Sequence, residues 1–193
     1  MSYFKQLDFP SFDSLTPTLL QLVEDGTIDW GMHKQICINT VPGYEDDYGL
    51  GTGSLMLNWD DRTVTSSRDG RSELVVMPKR DPLNPTDFKI LCRQFNGTVV
   101  EEVFELLAHH YVLGRIRFMK SEPKTCLTWH TDLTPRLHYP MITQPGCFMV
   151  VEDEVRHMPA NTWWEVNTVR SHTAFNGSMK SRIHLVAEVI ERK

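Results

Sequence analysis

No stretch of this 193-residue chain approaches the roughly 18 consecutive apolar residues that a membrane span requires. The N-terminus, MSYFKQLDFPSF, lacks the basic cluster and apolar run of a secretory signal. Cysteine is scarce. Cys37, Cys92, Cys126 and Cys147 form no C-x-x-C pair and no regular spacing, which excludes a zinc ribbon or a dithiol redox motif. Cys126 and Cys147 stand among apolar neighbours and are expected to be small core residues. Positive charge is in deficit, 20 Lys and Arg against 25 Asp and Glu, a net −5 that leaves no electrostatic footprint for nucleic acid. No repeat or low-complexity segment occurs. These absences lead to an expected reducing, cytoplasmic setting with no membrane and no nucleic-acid partner. The sequons at Asn96 and Asn176 then carry no glycan.

What is present suits one domain over residues 1–193, since 40% hydrophobic and 23% charged residues are ordinary for a globular protein. The segment TPTLLQLVEDG predicts a helix capped by Thr16, with Pro17 in its first turn, Leu19, Leu20 and Val23 inward, and Gly26 at its end. KQICINTV and SLMLNW read as strands around a polar, Gly-rich loop, PGYEDDYGLGTGS. The G-x-G-x-G of that loop has no strand–turn–helix context and so is not read as a phosphate cradle. RDPLNPTD is a Pro-rich connector and marks the candidate boundary between an N-terminal extension, 1–95, and a core, 96–193. The core opens with NGTVVEEVFELLAHHY. There Thr98 and Glu101 form a capping box, Val103, Phe104, Leu107 and Tyr111 mark one face, and His109 and His110 offset the C-terminal dipole.

From Gly114 onward, eight short stretches of β character follow one another across tight turns: RIRFMK, CLTWHTD, RLHYPMIT, CFMVV, EVRHM, TWWEV, SHTAF and RIHLVAEVI. The predicted fold is mainly β with flanking helices, a barrel or double-sheet jelly roll.

CLTWHTD poses the functional question. On a strand, His130 and Asp132 would share one face, with Trp129 and Thr131 on the other. A late strand beginning at His172 could lie beside it and bring the three side chains together. Two imidazoles and one carboxylate with open positions are the ligand set of non-haem Fe(II) oxygenases. Arg182 opens the last strand and would point into the barrel, where a buried guanidinium needs an anion. Glu188 could supply it, or a bidentate dicarboxylate ligand could. Trp163 and Trp164 are expected to be one core residue and one pocket wall, and His157 and His184 structural histidines. Asn176 is either a turn residue or a donor behind the ligands.

In combination, HTD, RLHYPMIT, TWWEVNTVRSH and NGSMKSRIHLVAEV resemble the aspartyl/asparaginyl β-hydroxylase family of Fe(II)- and 2-oxoglutarate-dependent oxygenases, over roughly Arg115 to Val189. The resemblance implies a cupin-like double-stranded β-helix that hydroxylates an amino acid or a peptidyl residue with Fe(II), 2-oxoglutarate and O2. It implies that His130, Asp132 and His172 hold the metal and that Arg182 grips the far carboxylate of 2-oxoglutarate. His138 would hold the cosubstrate beside the metal, and Arg136 would meet a carboxylate of substrate or cosubstrate. Some vertebrate members lack the carboxylate ligand; this chain keeps it as Asp132. Residues 1–95 fall outside the resemblance and are expected to shape the substrate pocket, with PGYEDDYGLGTGS as an acidic lid for an amino group. Three other functions fit a barrel with these ligands. They are a cupin-like module that binds metal or a small ligand without oxygenase activity, a nucleic-acid demethylase, and a zinc hydrolase. The acidic net charge and the absence of a second arginine after Arg182 in the last-strand pattern speak against the demethylase.

Overall fold

The computed structural model describes residues 2–53, 55, 62–68, 71–77 and 83–193. In chain order its elements are β1 (Phe4–Leu7), α1 (Leu15–Glu24), β2 (Gln35–Cys37), β3 (Asn39–Thr40), β4 (Arg62–Arg68) and β5 (Arg71–Met77). Then come β6 (Ile90–Leu91), α2 (Val99–His110), β7 (Tyr111–Ser121), β8 (Thr125–Cys126), β9 (Arg136–Ile142) and β10 (Cys147–Val151). The chain closes with β11 (Glu154–Arg156), β12 (Trp163–Val166), β13 (His172–Asn176) and β14 (Arg182–Arg192). The strand expected at SLMLNW lies, apart from Leu55, outside the described residues, as does the start of the Pro-rich connector. Its end is a 3₁₀ turn, Pro85–Asp87, capped by the side chain of Asn84.

Seven of the eight stretches read as β contain a strand, CLTWHTD keeps only Cys126 of a two-residue strand and an isolated bridge at His130, and the winding of these strands defines the fold. A six-stranded sheet runs β1-β12-β9-β14-β7-β2, and a four-stranded sheet runs β11-β10-β13-β8. The strands from β7 to β14 contribute four to each, all pairs antiparallel. This is a double-stranded β-helix. The N-terminal strands β1 and β2 extend the larger sheet at its two edges, so the first part of the chain is built into the same structure. Among the described residues, no helix is long and apolar enough to cross a membrane.

Period-two alternation sorts the central strands β7, β9 and β14 into two buried faces. Ile116 and Phe118, Leu137, Tyr139 and Met141, and Ile183, Leu185 and Ala187 pack outward in one core with Leu15 and Leu19 of α1 and Val100, Val103 and Leu107 of α2. The intervening residues face the barrel interior, and many are charged: Arg115 and Arg117, Arg136 and His138, Arg182, His184 and Glu188, all buried. The barrel is therefore apolar outside, beneath its helices, and polar inside. A smaller cluster of Phe4, Trp164 and Val166 with Met149, Val151 and Ala174 joins the inner faces of the two sheets.

Several local expectations shift. Helix α1 starts at Leu15 with Ser14, not Thr16, at the N-cap. Pro17 remains in the first turn, where no N–H partner is needed. The inward stripe is then Leu15 and Leu19, which rotates Leu20 into solvent. At α2, Thr98 accepts from the Val100 N–H as expected, but Glu101 reaches one residue further, to the Gly97 N–H at 2.6 Å. Tyr111 ends the helical stripe by opening β7. Cys126 is exposed, because β8 is the outer edge of its sheet, whereas Cys147 is buried as expected.

Candidate functional site

The H-x-D triplet does not lie on a continuous strand. Strand β8 pairs with β13 only at Cys126 and Thr125; beyond it Leu127 N–H donates to Ala174 O, and His130 forms an isolated bridge with His172. That bridge is closed by two hydrogen bonds, His130 N–H to His172 O at 3.1 Å and His172 N–H to His130 O at 2.9 Å. Pairing stops there because the partner runs out: His172 is the first residue of β13, and the chain before it turns back through Asn167–Arg170. Asp132 donates its N–H to Thr168 O at 2.8 Å instead. The convergence survives without the strand. Ligand atoms of His130, Asp132 and His172 all lie within 4.8 Å of one another.

Both imidazoles are oriented by backbone carbonyls. Nδ1 of His130 is 2.8 Å from Thr128 O, and Nδ1 of His172 is 3.0 Å from Arg170 O. A carbonyl only accepts, so each Nδ1 carries a proton, and the neutral ring of that tautomer presents its Nε2 lone pair to a metal. Burial, with the nearby His130, pushes the His172 imidazole below its ordinary range against the opposing bond to Arg170 O, and so keeps it neutral. Burial alone would raise the Asp132 carboxyl. The hydrogen bond and charge of Arg136, whose Nε–H donates to Asp132 Oδ2 at 2.9 Å, outweigh it and hold the carboxyl below its usual range.

The three residues wall one end of a cavity inside the barrel that also meets Arg117, Arg136, His138, Arg182 and His184. Met119, Met149, Val186 and Ala174 also line it, with Leu127 and the polar Ser121 and Thr168. Arg182 is buried as expected, but Glu188 does not pair with it. Its Nε–H donates to His184 Nε2 at 2.8 Å, and among the described residues no carboxylate stands within ion-pair distance. His138 is buried with both ring nitrogens unpartnered. Burial, and then the charge of Arg182, push its imidazole down to about 3. A neutral ring with two orphaned nitrogens and a guanidinium without an anion are groups that a ligand would satisfy.

Arg136 lines both the cavity and the cleft beside it. It is buried between two carboxylates, Asp132 and Glu188, whose Oε1 lies 2.5 Å from Arg136 Nη1. Glu188 also takes Arg115, at 3.0 Å. Two arginines and two carboxylates thus balance in charge, although Arg136 Nη1, close as it is to Glu188, makes no hydrogen bond among the described residues. The described part of the Gly-rich loop is tied to Arg115. Gly51 O and Gly53 O accept from Arg115 Nη1 at 2.9 and 2.7 Å, and a Cβ at Gly51 would come within 2.4 Å of Cys37 Sγ. The loop clamps Arg115, and Asp46 pairs with Arg93, so its acidic side chains line neither the cavity nor the cleft beside it. That cleft runs along Leu55, Asn84–Thr86 and 131–134 to Asp132 and Arg136, so residues from the N-terminal half do reach the site.

Trp163 is in the main core, and Trp164 belongs to the inter-sheet cluster rather than the cavity wall. His157 is a structural histidine, its Nδ1 2.8 Å from Cys147 O. Asn176 ties a turn together, donating to Ser121 O and Lys180 O. His184, expected to be structural, lines the cavity against Arg182. Sequence reasoning missed Arg117, Arg115 and the role of Glu188. The signal was available: in RIRFMK, Arg115 and Arg117 alternate with Ile116 and Phe118. That pattern ordinarily describes a solvated face, and only burial of both faces gives it another meaning.

A family model described as aspartyl/asparaginyl beta-hydroxylase matches residues 79–192. No curated protein matches the chain. Among solved structures, a cupin domain from Bordetella pertussis Tohama I is 14% identical, with 39% of this chain and 79% of that one covered and a TM-score of 0.35. A 2OG-Fe(II) oxygenase family oxidoreductase from Burkholderia pseudomallei is 13% identical, with 61% of each chain covered and a TM-score of 0.38. A cupin 2 conserved barrel domain protein from Salinispora arenicola CNS-205 is 12% identical, with 39% and 63% covered and a TM-score of 0.34. These likenesses are remote, and the winding of the strands carries the fold assignment.

Proposed function

We propose that this chain, which belongs to the aspartyl/asparaginyl β-hydroxylase family, is an Fe(II)- and 2-oxoglutarate-dependent oxygenase that hydroxylates an amino acid, free or within a peptide. The observation that carries the reading is a pairing inside one cavity. Two imidazole nitrogens and a carboxylate oxygen converge within 4.8 Å, and a buried guanidinium without a carboxylate among the described residues lines the same space. Imidazole and carboxylate suit Fe(II) in type and number and leave coordination positions open. Fe(II), 2-oxoglutarate and O2 together would supply the oxidising power to hydroxylate an unactivated C–H bond, with release of succinate and CO2.

The protein's own part is positional. Thr128 O and Arg170 O fix the tautomers of His130 and His172, and Arg136 orients the Asp132 carboxylate through Oδ2. Arg182 would take the far carboxylate of the cosubstrate in a bidentate contact. His138, held neutral, can offer a ring N–H to the end nearer the metal. The apolar part of the lining keeps bulk water from the reacting carbon. The direct test is succinate formation from 2-oxoglutarate under Fe(II), ascorbate and air, with a panel of amino acids and Asp-, Asn- and Pro-containing peptides read for a gain of one oxygen. No succinate with any of them, at full metal loading, leaves a metal-binding barrel without oxygenase chemistry.

Arg182→Met is expected to weaken 2-oxoglutarate binding on the order of 100- to 1,000-fold, the scale of losing a buried charge-assisted pair. The ligand-free protein should melt no lower than wild type, because a buried cation without an anion has been removed. The thermal upshift that 2-oxoglutarate gives the Mn(II)-loaded protein reads both effects. An unchanged upshift places the cosubstrate elsewhere.

A further inference from the structure

Four guanidinium groups, those of Arg115, Arg117, Arg136 and Arg182, stand on the inner face of the larger sheet, and all are buried. Arg115 and Arg136 are compensated by Glu188 and Asp132. Arg182 is accounted for by the cosubstrate. Arg117 remains. It is 7% exposed, its Nη1 donates only to the neutral Gln35 Oε1 at 3.0 Å, and its Nε has no partner. Gln35 Oε1 also accepts the Gly53 N–H, so it is a shared acceptor and not a dedicated one. No carboxylate lies within ion-pair distance of Arg117 among the described residues. Burial, and then the neighbouring charge of Arg115, push its guanidinium down to about 9, which still leaves it cationic at neutral pH.

Its place in the sheet separates it from Arg182. Arg117 is opposite Val186 across β7 and β14, and Val186 is opposite His138 across β14 and β9. Arg117 and His138 therefore occupy one row, beside the row of Arg136 that meets the candidate metal ligand Asp132. Arg182 lies four residues further along β14, about 13 Å at the rise of a strand. A dicarboxylate held at its far end by Arg182 runs from that end of the cavity toward the metal. Arg117 lines the same cavity in the row of His138, with no carboxylate in ion-pair distance among the described residues.

We infer that Arg117 anchors a second anion, a carboxylate of the substrate, and that Arg136, which the sequence motif nominates, does not. This deepens the oxygenase reading and rests on it. A cation kept buried, unpaired and lining a cavity is costly to the fold, and a carboxylate ligand both satisfies its fork of donors and selects substrates that carry one.

The test uses the full chain, loaded with Mn(II) and 2-oxoglutarate without oxygen. Binding is measured for the free L-amino acids and for N-acetyl-aspartate N-methylamide, each against the matching amide. At least one acid should bind at least tenfold more tightly than its amide. Arg117→Met should erase that difference while leaving 2-oxoglutarate affinity within about threefold of wild type, and should melt no lower than wild type when ligand-free. Arg117→Lys should restore part of the acid preference. A wild type that prefers no acid over its amide overturns the inference, as does an acid preference that survives in Arg117→Met. So does an Arg117→Met variant that loses 2-oxoglutarate as Arg182→Met does, since Arg117 would then serve the cosubstrate. Failure of the wild type to bind 2-oxoglutarate at all would instead show the oxygenase reading to be wrong, and this inference with it.

Discussion

Replacing Asp132 with Ala is expected to lower divalent-metal affinity by at least 100-fold and to abolish succinate formation. The scale follows from the site. Loss of a partner that merely orients a ligand costs about 10–100-fold in metal affinity, and Asp132 supplies the only carboxylate of the three converging groups. The side chain also holds Arg136, but Arg136 keeps Glu188, so the variant should remain folded. Asp132→Asn retains an acceptor for Arg136 while removing the charge, and should lose nearly as much metal. Anaerobic titration with Mn(II), followed by turnover with Fe(II), checks both. Metal affinity within about threefold of wild type in Asp132→Ala would remove the carboxylate from the site. An acid titration of the metal-free protein gives a second readout. The folded-state pKa of Asp132 lies below its ordinary value, so its ionised form stabilises the fold above that ordinary value, and the contribution is lost as pH falls through the lowered one. Asp132→Ala should lack that portion of the acid sensitivity.

The contrast between Asp132 and Arg117 shows what the sequence could carry. Seven of the eight strands were legible because each is a short β-rich run bounded by turn residues, whereas CLTWHTD forms a strand only at Cys126; the order in the sheets follows from the winding of a single fold type. The convergence of His130, Asp132 and His172 was legible too, through the motif combination, although its stated reason, a shared strand face, is not how it arises. One backbone bridge and the bond from Asp132 N to Thr168 O do that work. Charge compensation was not legible. It depends on which buried groups are opposite one another across three strands, and period-two alternation fixes only which side of its own strand a residue occupies. Arg136 and Arg117 therefore look alike in sequence. In the structure the first is flanked by two carboxylates and the second, among the described residues, by none.

That compensation makes Glu188 the residue whose loss should most damage the fold. Its side chain is 5% exposed and serves two buried arginines. One oxygen lies 3.0 Å from Arg115 Nη2 and 2.5 Å from Arg136 Nη1. The other accepts from Arg115 Nε at 3.2 Å and from the Arg115 backbone N–H at 3.0 Å. Gly114 permits this approach, since a Cβ there would stand 2.7 Å from Glu188 Oε2. Glu188→Ala leaves two desolvated guanidinium groups and a backbone N–H without their acceptor. The expected cost is about 3–5 kcal/mol, the scale of breaking a buried pair from one side. Glu188→Gln should cost less, because it keeps an oxygen for Arg115 and gives up only the charge. Gly114→Ala should fall between wild type and Glu188→Ala by pushing the carboxylate off its seat. Urea unfolding of the four proteins orders them. The differences should persist at high salt, because a network this buried is weakly screened, whereas a surface pair is not. A loss below about 1 kcal/mol in Glu188→Ala, the range of exposed ion pairs, would mean that Arg115 and Arg136 find other acceptors. Arg136 would then be available to a substrate, and the division of roles between it and Arg117 would fail with it.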